Sequence, residues 1–596
     1  MLNLSVDNTA LMPCNPSIGG PAKGHLVREV SALGGEQARA ADASTLMIRW
    51  LNTSKGAAVR ALRAQCDPGL YSFYYRKLLT TQENLEINQD EAIEILTSSD
   101  GKISGILTRH GAKYDAKAIV LCGGVYLDSK VFVGEKNFKS GPMGQNNSES
   151  LPKSIEKLGI KTGLMRTDTT PRLNINTIDL SRATPQLSEK EPLCFDLWGE
   201  GKIYDPKNYA CYFSRTTEET YEILSQNIKR SPLVTGDVKA NGPRYCPSIE
   251  DKFLRFPDHI THPIVFEPVS LNTNEVYVQN FSTSLPYDVQ VKMVHSLPGG
   301  ENAKIIKPGY GIEYIYLLPD QLKNSLENKN IPGFFCAGQV NGTSGYEEAA
   351  AQGLLAGINA ANYVLERDPL ILGRDEGYLG VLVDDLTTKS TDEPYRMLTS
   401  RCEHRLLLRW DNVAHRLSHY GREAGLINDS RWKFLQQRFE NENQEIARLK
   451  SQKISPSKEI EALCNEYDAE ILEGTMTLAE FMKHRGVNYE LISKISPSEK
   501  ILSRAEIVHI ETELKYIGYL EREAKTAAKM KNFDSAKIPE NFDYDSVIGL
   551  RAECLQKVKH FKPASLGQAL RISGVTPTDV QLISVIISRN ERESKK

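Results

Sequence analysis

The chain has no run of eighteen consecutive apolar residues, so no membrane-spanning helix is expected. Its first residues, Met1 to Ala10, carry no basic stretch followed by an apolar core, which argues against a secretory signal, and an Arg-rich, acid-poor transit segment is missing too. Ten cysteines are present (Cys14, Cys66, Cys122, Cys194, Cys211, Cys246, Cys336, Cys402, Cys464 and Cys554), but none form a C-x-x-C pair. Metal-ligand spacing is therefore lacking, no metal is expected, and the thiols read as reduced in a cytoplasmic protein. There is no excess of either charge sign: the formal net charge is −3. Any nucleic-acid site has to be a local basic patch on a balanced surface. No segment fits the P-loop pattern G-x-x-x-x-G-K-[ST], and internal repeats are absent.

What is present is an ordinary globular composition in 596 residues, 40% apolar and 25% charged. That length provides for about two to four domains. Ala118–Cys122 and Gly333–Ala337 read as buried strands, each ended by glycines, and Tyr346 to Leu365 as an alanine-rich helix. Strand, glycine loop and helix in succession are the grammar of a nucleotide-binding α/β sheet. From Asp168 to Gly300 the chain is rich in Pro, Thr, Asn and Tyr with short alternating runs such as Glu275–Val278, which reads as a strand-rich insertion. After about Arg374, helical spacing dominates (Arg431 to Lys453, Ile501 to Lys531). Thr576, Pro577 and the apolar face of Val580 to Ile587 mark a capped last helix. The boundaries expected are 1–167, 168–300, 301–373 and an all-helical 374–596.

Five segments carry chemistry. The loop from Cys14 to Gly24 packs glycines, a thiol and Lys23 ahead of a helical run, His25 to Leu33, which suits an anion or serves as a plain glycine turn. Between Arg49 and Arg63 the cations Arg49, Lys55, Arg60 and Arg63 crowd together, as an anion-binding edge or a solvated helix face. Between Gly242 and Lys252, Cys246 is flanked by Arg244 and Lys252 in a proline-stiffened loop, as a reactive or a structural thiol. The stretch Gly338 to Gly353 opens a helix behind a glycine loop and reads as a dinucleotide site. From Glu393 to Arg409, arginines alternate with Tyr395 and His404, a pattern that contacts phosphates and stacks on bases, or forms a solvated face.

Together and in this order the segments CNPSIGG, KGHLVREVSALGG, LNTSKGAAVRALRAQ, GPRYCPSIEDK, STSLPYDVQ, AGQVNGTSGYEEAAAQGLLAG, YLGVLVDDL, EPYRMLTSR and KPASLGQALRISGVTP closely resemble the MnmG/GidA family, from about Asn8 to about Arg592. The resemblance implies an FAD-binding, two-dinucleotide-fold (Rossmann-like) α/β core with an inserted α+β domain and a helical C-terminal domain. It implies NADH as reductant, methylenetetrahydrofolate as one-carbon donor, and the GTPase MnmE as partner, in a heterotetramer with a homodimer of this chain. The product is an aminomethyl-type group on carbon 5 of the tRNA wobble uridine.

By motif, Cys14 and Cys246 match the family's two functional cysteines. The candidate cofactor contacts are Asn15, Gly19, Gly20, Lys23, Ile93, Gly242, Arg244, Gly338, Gln339, Asn341, Gly342 and Gly345. Arg396, Arg401 and Arg405 are the candidate tRNA contacts. Chemically, a thiolate added to carbon 6 of uracil makes carbon 5 nucleophilic.

Departures from the pattern matter. The family opens with a strand and a G-x-G-x-x-G loop, whereas thirteen residues precede Cys14 here, so a start further upstream is expected. Asp168 stands where the family has glycine. Val125, Ser129 and His404 also differ. Two competing readings remain: a remnant that binds tRNA or MnmE without FAD, and the folate- and FAD-dependent tRNA uridine 5-methyltransferase, which shares the front half but not the helical third.

Overall fold

The computed structural model describes residues 1–199, 201, 204–205, 209–389, 391–539 and 541–594. The two apolar runs read as strands lie side by side in parallel, with Phe334 opposite Ile119 and Cys336 opposite Leu121, but only Phe334–Cys336 is buried as expected, Ile119–Leu121 being half-buried. Glycines punctuate both. Gly333 has a left-handed backbone (φ +84°), and a Cβ there would stand 2.7 Å from the Lys117 carbonyl, so only glycine turns the chain into the strand. A second short parallel pair joins Leu2–Asn3 to Asn88–Gln89.

Helix Tyr346–Val364 follows the glycine loop and packs on helix Lys23–Ala32, in which every residue from Gly24 to Ala32 is buried. Gly24 lets this helix press on strand Ala61–Cys66, where a Cβ would lie 2.8 Å from the Leu62 carbonyl. The cation-rich stretch after Arg49 is not a helix face. It runs through a single turn at Thr53–Lys55 into strand Ala61–Cys66, which pairs antiparallel with both Ser17–Gly19 and Thr45–Leu51. Arg60 covers the Trp50 ring at 4.1 Å instead of facing solvent freely.

The strand-rich insertion is entered and left through one antiparallel pair, Thr162–Thr169 with Tyr310–Leu317, in which Asp168 faces Gly311. Its six-stranded sheet includes Cys211–Arg215, Pro263–Pro268 and Glu275–Gln279 in antiparallel succession. One part folds back: Leu193 and Phe195 pack with Ile18 and Leu62, and Arg28 Nη1 donates to the Phe195 carbonyl at 2.6 Å.

The α/β core does not stop at residue 374. One apolar cluster runs from Leu26 and Phe334 through Tyr378–Leu386 to Leu417 and Leu435. The stretch beyond 374 therefore begins as part of the same core, because helix Tyr378–Thr388 is buried along its whole length. Separate cores form around Leu449 to Leu514 and around Ile538 to Ile587. The all-helical expectation for this region needs one correction: Lys453–Ile454 and Met476–Thr477 form a short antiparallel ladder. At the last helix, Pro577–Ser594, the Thr576 hydroxyl and amide both donate to Asp579 Oδ2, at 2.6 and 2.9 Å. Among the described residues no helix is long and apolar enough to cross a membrane.

Candidate active site

Cys14 sits on a non-helical bend ahead of strand Ser17–Gly19, and its backbone is tied on both sides. Its amide donates to the Tyr346 hydroxyl at 3.1 Å, and Arg172 Nη2 donates to the Pro13 and Cys14 carbonyls, each at 3.0 Å. The sulfur is 3.7 Å from the Tyr277 hydroxyl and 3.9 Å from the Asp168 carbonyl. Gly19 and Gly20 close the loop: the Gly20 amide donates to Leu62 at 2.7 Å, and any side chain on Gly19 would collide with the Leu62 carbonyl and the Phe195 ring.

Cys246 comes from the far side. The segment before it docks on strand Thr162–Thr169 through the Arg166 amide, which donates to Asn241 at 3.2 Å. Gly242 presses on the Arg166 guanidinium, where a Cβ would stand 2.7 Å from Nε. Arg166 Nη2 also pairs with Asp251 at 2.8 Å, and Asp251 with Ser248 forms the reciprocal cap of helix Ile249–Arg255. A turn, from the Cys246 amide to the Pro243 carbonyl at 3.2 Å, then presents the thiol. Arg244 and Tyr245 stay exposed. Lys252 is pulled down to about 8 by burial, which the neighbouring Cys246 charge opposes.

The two thiols share one electrostatic environment. Burial raises the pKa of Cys14, a charge on Cys246 raises it further, and Arg172, the Tyr277 hydroxyl and Arg396 pull the other way. Arg396 feels burial first, then Cys246, Glu348 and Cys14, so its guanidinium belongs to the thiol pair. The glycine loop steers it. Segment 393–397 runs beside that loop, with the Tyr395 amide donating to Gly342 and the Ser344 amide to Tyr395, each at 2.9 Å. Arg396 Nη2 then reaches the Ser344 hydroxyl at 3.4 Å.

The sequence-predicted residues divide into groups. Gly338, Asn341 and Gly342 lie in a loop tied by Gln352, whose Oε1 accepts from Asn341 at 3.0 Å and whose Nε2 donates to Thr343 at 3.0 Å. Gln339 donates to the Tyr314 hydroxyl at 3.1 Å. Gly345 opens helix Tyr346–Val364, yet the helix start and Lys23 are already matched to each other: Lys23 Nζ pairs with Glu347 at 2.8 Å and Glu348 at 3.0 Å. Asn15 accepts from Ser17 at 2.7 Å, and Ile93 lies half-buried in strand Ala92–Thr97. Arg401 lies over the Tyr395 ring at 4.2 Å and donates to the Arg396 carbonyl at 3.0 Å, while Arg405 is exposed. The segment 393–409 is mostly irregular, with one turn at Thr399–Arg401, so its arginines do not share a helix face. Asp168, the residue in place of glycine, turns its buried carboxylate toward Arg166 at 3.5 Å. Sequence reasoning missed Tyr277, Tyr346 and the acidic pair Glu347–Glu348 as partners of Cys14, Gly19 and Lys23. Only the side-by-side acids at a helix start gave any signal.

A parallel strand pair, a glycine loop and the alanine-rich helix behind it define an α/β enzyme class of the nucleotide-binding kind. The family profile described as glucose inhibited division protein A matches residues 1–368, and profiles for the MnmG/GidA C-terminal helical domain and helical bundle match 429–524 and 526–596. The chain belongs to the MnmG/GidA family. It is 44% identical over 595 residues to the tRNA uridine 5-carboxymethylaminomethyl modification enzyme MnmG of Thermodesulfovibrio yellowstonii, covering 100% of this chain and 95% of that one. Its similarity to the MnmG of Listeria monocytogenes is 44% over 591 residues, 99% of this chain and 94% of the relative. The solved structure of Aquifex aeolicus GidA in its form II crystal superposes with a TM-score of 0.89 at 38% identity, covering 99% of this chain and 94% of that one.

Proposed function

We propose that this chain is a tRNA-modifying enzyme that builds the carboxymethylaminomethyl-type group on carbon 5 of the wobble uridine. The observation that carries the reading is that Cys14, its sulfur 3.9 Å from the Asp168 carbonyl, and the segment leading to Cys246, docked through the Arg166 amide, share strand Thr162–Thr169, while Arg396 reaches the glycine loop at Ser344. Whole-chain likeness to named MnmG enzymes, through both helical C-terminal parts, supports it over the 5-methyltransferase reading.

The residues at the loop suit FAD at its ring end. Gly20 has φ +105° with open space where a side chain would stand. Asn341 Oδ1 is buried without a partner, and the Gln339 amide lies at the same loop. Lys23 is not a free phosphate ligand, because Glu347 and Glu348 hold it. When bound, FAD supplies hydride chemistry. Gly338, Gln339, Asn341, Gly342 and Gly345 would hold it, with Asn15, Gly19 and Gly20 lining the approach. NADH as reductant near Gly242 and Arg244, methylenetetrahydrofolate as one-carbon donor, tRNA at Arg401 and Arg405, the MnmE partner, a homodimeric state and a cytoplasmic location all follow from the family reading and belong to the same proposal.

The chain's own part in the chemistry is concrete. The Cys246 sulfur adds to carbon 6 of the uracil, and the π-electron pair of the 5,6 bond moves onto carbon 5 and the carbon-4 carbonyl. Carbon 5 then attacks the methylene carbon of the ring-opened iminium form of methylenetetrahydrofolate, and as the carbon–carbon bond forms the carbon–nitrogen π pair moves onto the folate nitrogen. Loss of the proton on carbon 5 and departure of the thiolate restore the ring. Cys14, raised by burial, holds its proton and can exchange it within the site.

The test is mass analysis of tRNA from cells that depend on this chain. A modified wobble uridine that disappears with Cys246→Ser is expected. An unaltered wobble base in cells carrying the unsubstituted chain would overturn the assignment.

A further inference from the structure

Away from the thiols, three helices meet around two histidines and a glutamate. His415 lies on helix Val413–Glu423, Glu442 on helix Asp429–Ser451, and His509 on helix Arg504–Ser535. One ligand-type atom from each lies within 4.8 Å of the others. His415 Nε2 is 2.8 Å from Glu442 Oε2, and the two imidazoles stack at 4.3 Å with planes 17° apart. We propose that His415, Glu442 and His509 bind a divalent transition-metal ion of the zinc class, which ties these three helices together.

Three observations support the assignment. First, the donor set is the neutral-nitrogen and carboxylate set that zinc takes with three protein ligands and a water. Second, the carboxylate is buried and partly unanswered. The Glu442 side chain is 1% exposed, Arg438 Nε holds Oε1 at 2.9 Å, and Oε2 has no hydrogen-bond partner although the His415 ring is close. The His415 Nε2–Glu442 Oε2 contact at 2.8 Å is off-line for a hydrogen bond, which leaves a buried carboxylate oxygen able to take a metal bond. Third, His509 is already oriented as a ligand. Its Nδ1 faces Asp411 Oδ2 at 3.3 Å, and Arg409 Nε holds the other oxygen of Asp411 at 3.1 Å. A proton on Nδ1 leaves the Nε2 lone pair for a metal, the carboxylate–histidine–metal arrangement.

Access comes from one residue. The His415 side chain is 30% exposed, so its face of the cluster is open to solvent for a fourth, water ligand. Nearly parallel rings aim their lone pairs in parallel planes. Tetrahedral zinc requires ligand atoms about 3.4 Å apart, and the three donors already lie within 4.8 Å of one another. The function follows from the connectivity. Helix Val413–Glu423 packs on the buried Lys23–Ala32 helix of the α/β core, whereas Arg504–Ser535 runs on to contact helix Leu566–Arg571. A metal here fixes the C-terminal helices to the domain that carries the thiols.

The experiment uses the full chain stripped with EDTA and cobalt(II) as probe, with zinc as competitor. The result expected is one cobalt per chain, visible ligand-field bands without thiolate-to-metal charge transfer, and displacement by zinc. His415→Gln and His509→Gln should each weaken cobalt binding at least about tenfold, with unchanged circular dichroism, while the double Cys14→Ser, Cys246→Ser chain retains it. Zinc should raise the melting temperature of the unsubstituted chain and not that of His415→Gln. Thiolate charge-transfer bands, binding that survives His415→Gln, or no cobalt uptake by the unsubstituted chain would each show that the cluster is a plain histidine–glutamate ion pair. The outcome is independent of FAD and of tRNA modification, so the two proposals fail separately.

Discussion

The hydroxyl of Tyr277 stands 3.7 Å from the sulfur of Cys14. That contact lowers the thiol's pKa against the upward push of burial, and a charge on Cys246 acts in the opposite sense. Tyr277→Phe should therefore shift the pH profile of Cys14 alkylation upward, and Cys246→Ser should shift it downward. The measurement is the rate of iodoacetamide labelling at Cys14, followed by peptide mass spectrometry across pH. Identical profiles for the three chains would separate the thiol from both neighbours.

Arg396 and Arg405 were grouped as RNA contacts on sequence grounds, but they occupy different environments. Arg396 is drawn toward the thiols and the Ser344 hydroxyl, and Arg405 is exposed. Arg405→Glu should weaken tRNA binding and flatten its salt dependence by about one phosphate's contribution. Arg396→Gln should leave tRNA affinity within about threefold of the unsubstituted chain and depress turnover by at least about a hundredfold. Filter binding over a salt series and single-turnover modification decide it. A larger affinity loss for Arg396→Gln than for Arg405→Glu would return Arg396 to the RNA surface.

The elements read from sequence are those in which local pattern and tertiary role agree. Phe334–Cys336 and its glycine loop, the alanine-rich helix behind it and the Thr576–Pro577 helix start are fixed by apolar runs and capping chemistry within a few residues. The site was readable only in pieces. Cys14 and Cys246 are marked by their motifs, yet their shared environment depends on Arg166 docking the Asn241–Gly242 segment and on Arg172 holding the Cys14 backbone, contacts across more than a hundred residues in the second case. Lys23 shows the converse. A lysine in a glycine loop reads as an anion ligand until Glu347 and Glu348 arrive from the other end of the core. Arg60 reads as part of an anion-binding edge or a solvated face, whereas in the fold it lies over the Trp50 ring.

Gly345 should tolerate no side chain. Its φ is +150°, and a Cβ would meet the Glu348 carboxylate and the Lys23 ammonium. Gly345→Ala therefore strains the backbone and splits a buried ion pair whose Glu348 also accepts from the Met397 amide at 2.9 Å. A loss of about 2–4 kcal/mol is expected, with the midpoint of urea unfolding falling accordingly. Gly353→Ala is the control, since nothing lies within 4 Å of its missing Cβ. Equal midpoints for the two variants would mean that the Lys23–Glu348 contact bears no part of the loop's stability.

Buried carboxylates set the pH dependence of stability. Glu250 is fully buried. Its Oε1 accepts from Thr283, Ser284 and the Ser284 amide, its Oε2 has no partner, and burial, then the charge of Asp168, pushes its pKa up to about 7. Glu267 is raised to about 7 as well, by burial against the pull of Arg63. A folded-state pKa above the unfolded value means that the native chain binds the proton more tightly. The associated stability is fully present below about pH 4.5, falls as pH rises, and is lost once pH passes about 7. For Glu250 the shift corresponds to on the order of 3 kcal/mol across that window. Glu250→Gln keeps a neutral side chain at every pH and should flatten the decline in melting temperature between pH 5 and about 7.5, converging with the unsubstituted chain at the acid end. A variant whose melting temperature falls with pH as steeply as the original would show that Glu250 is already ionised in the folded protein.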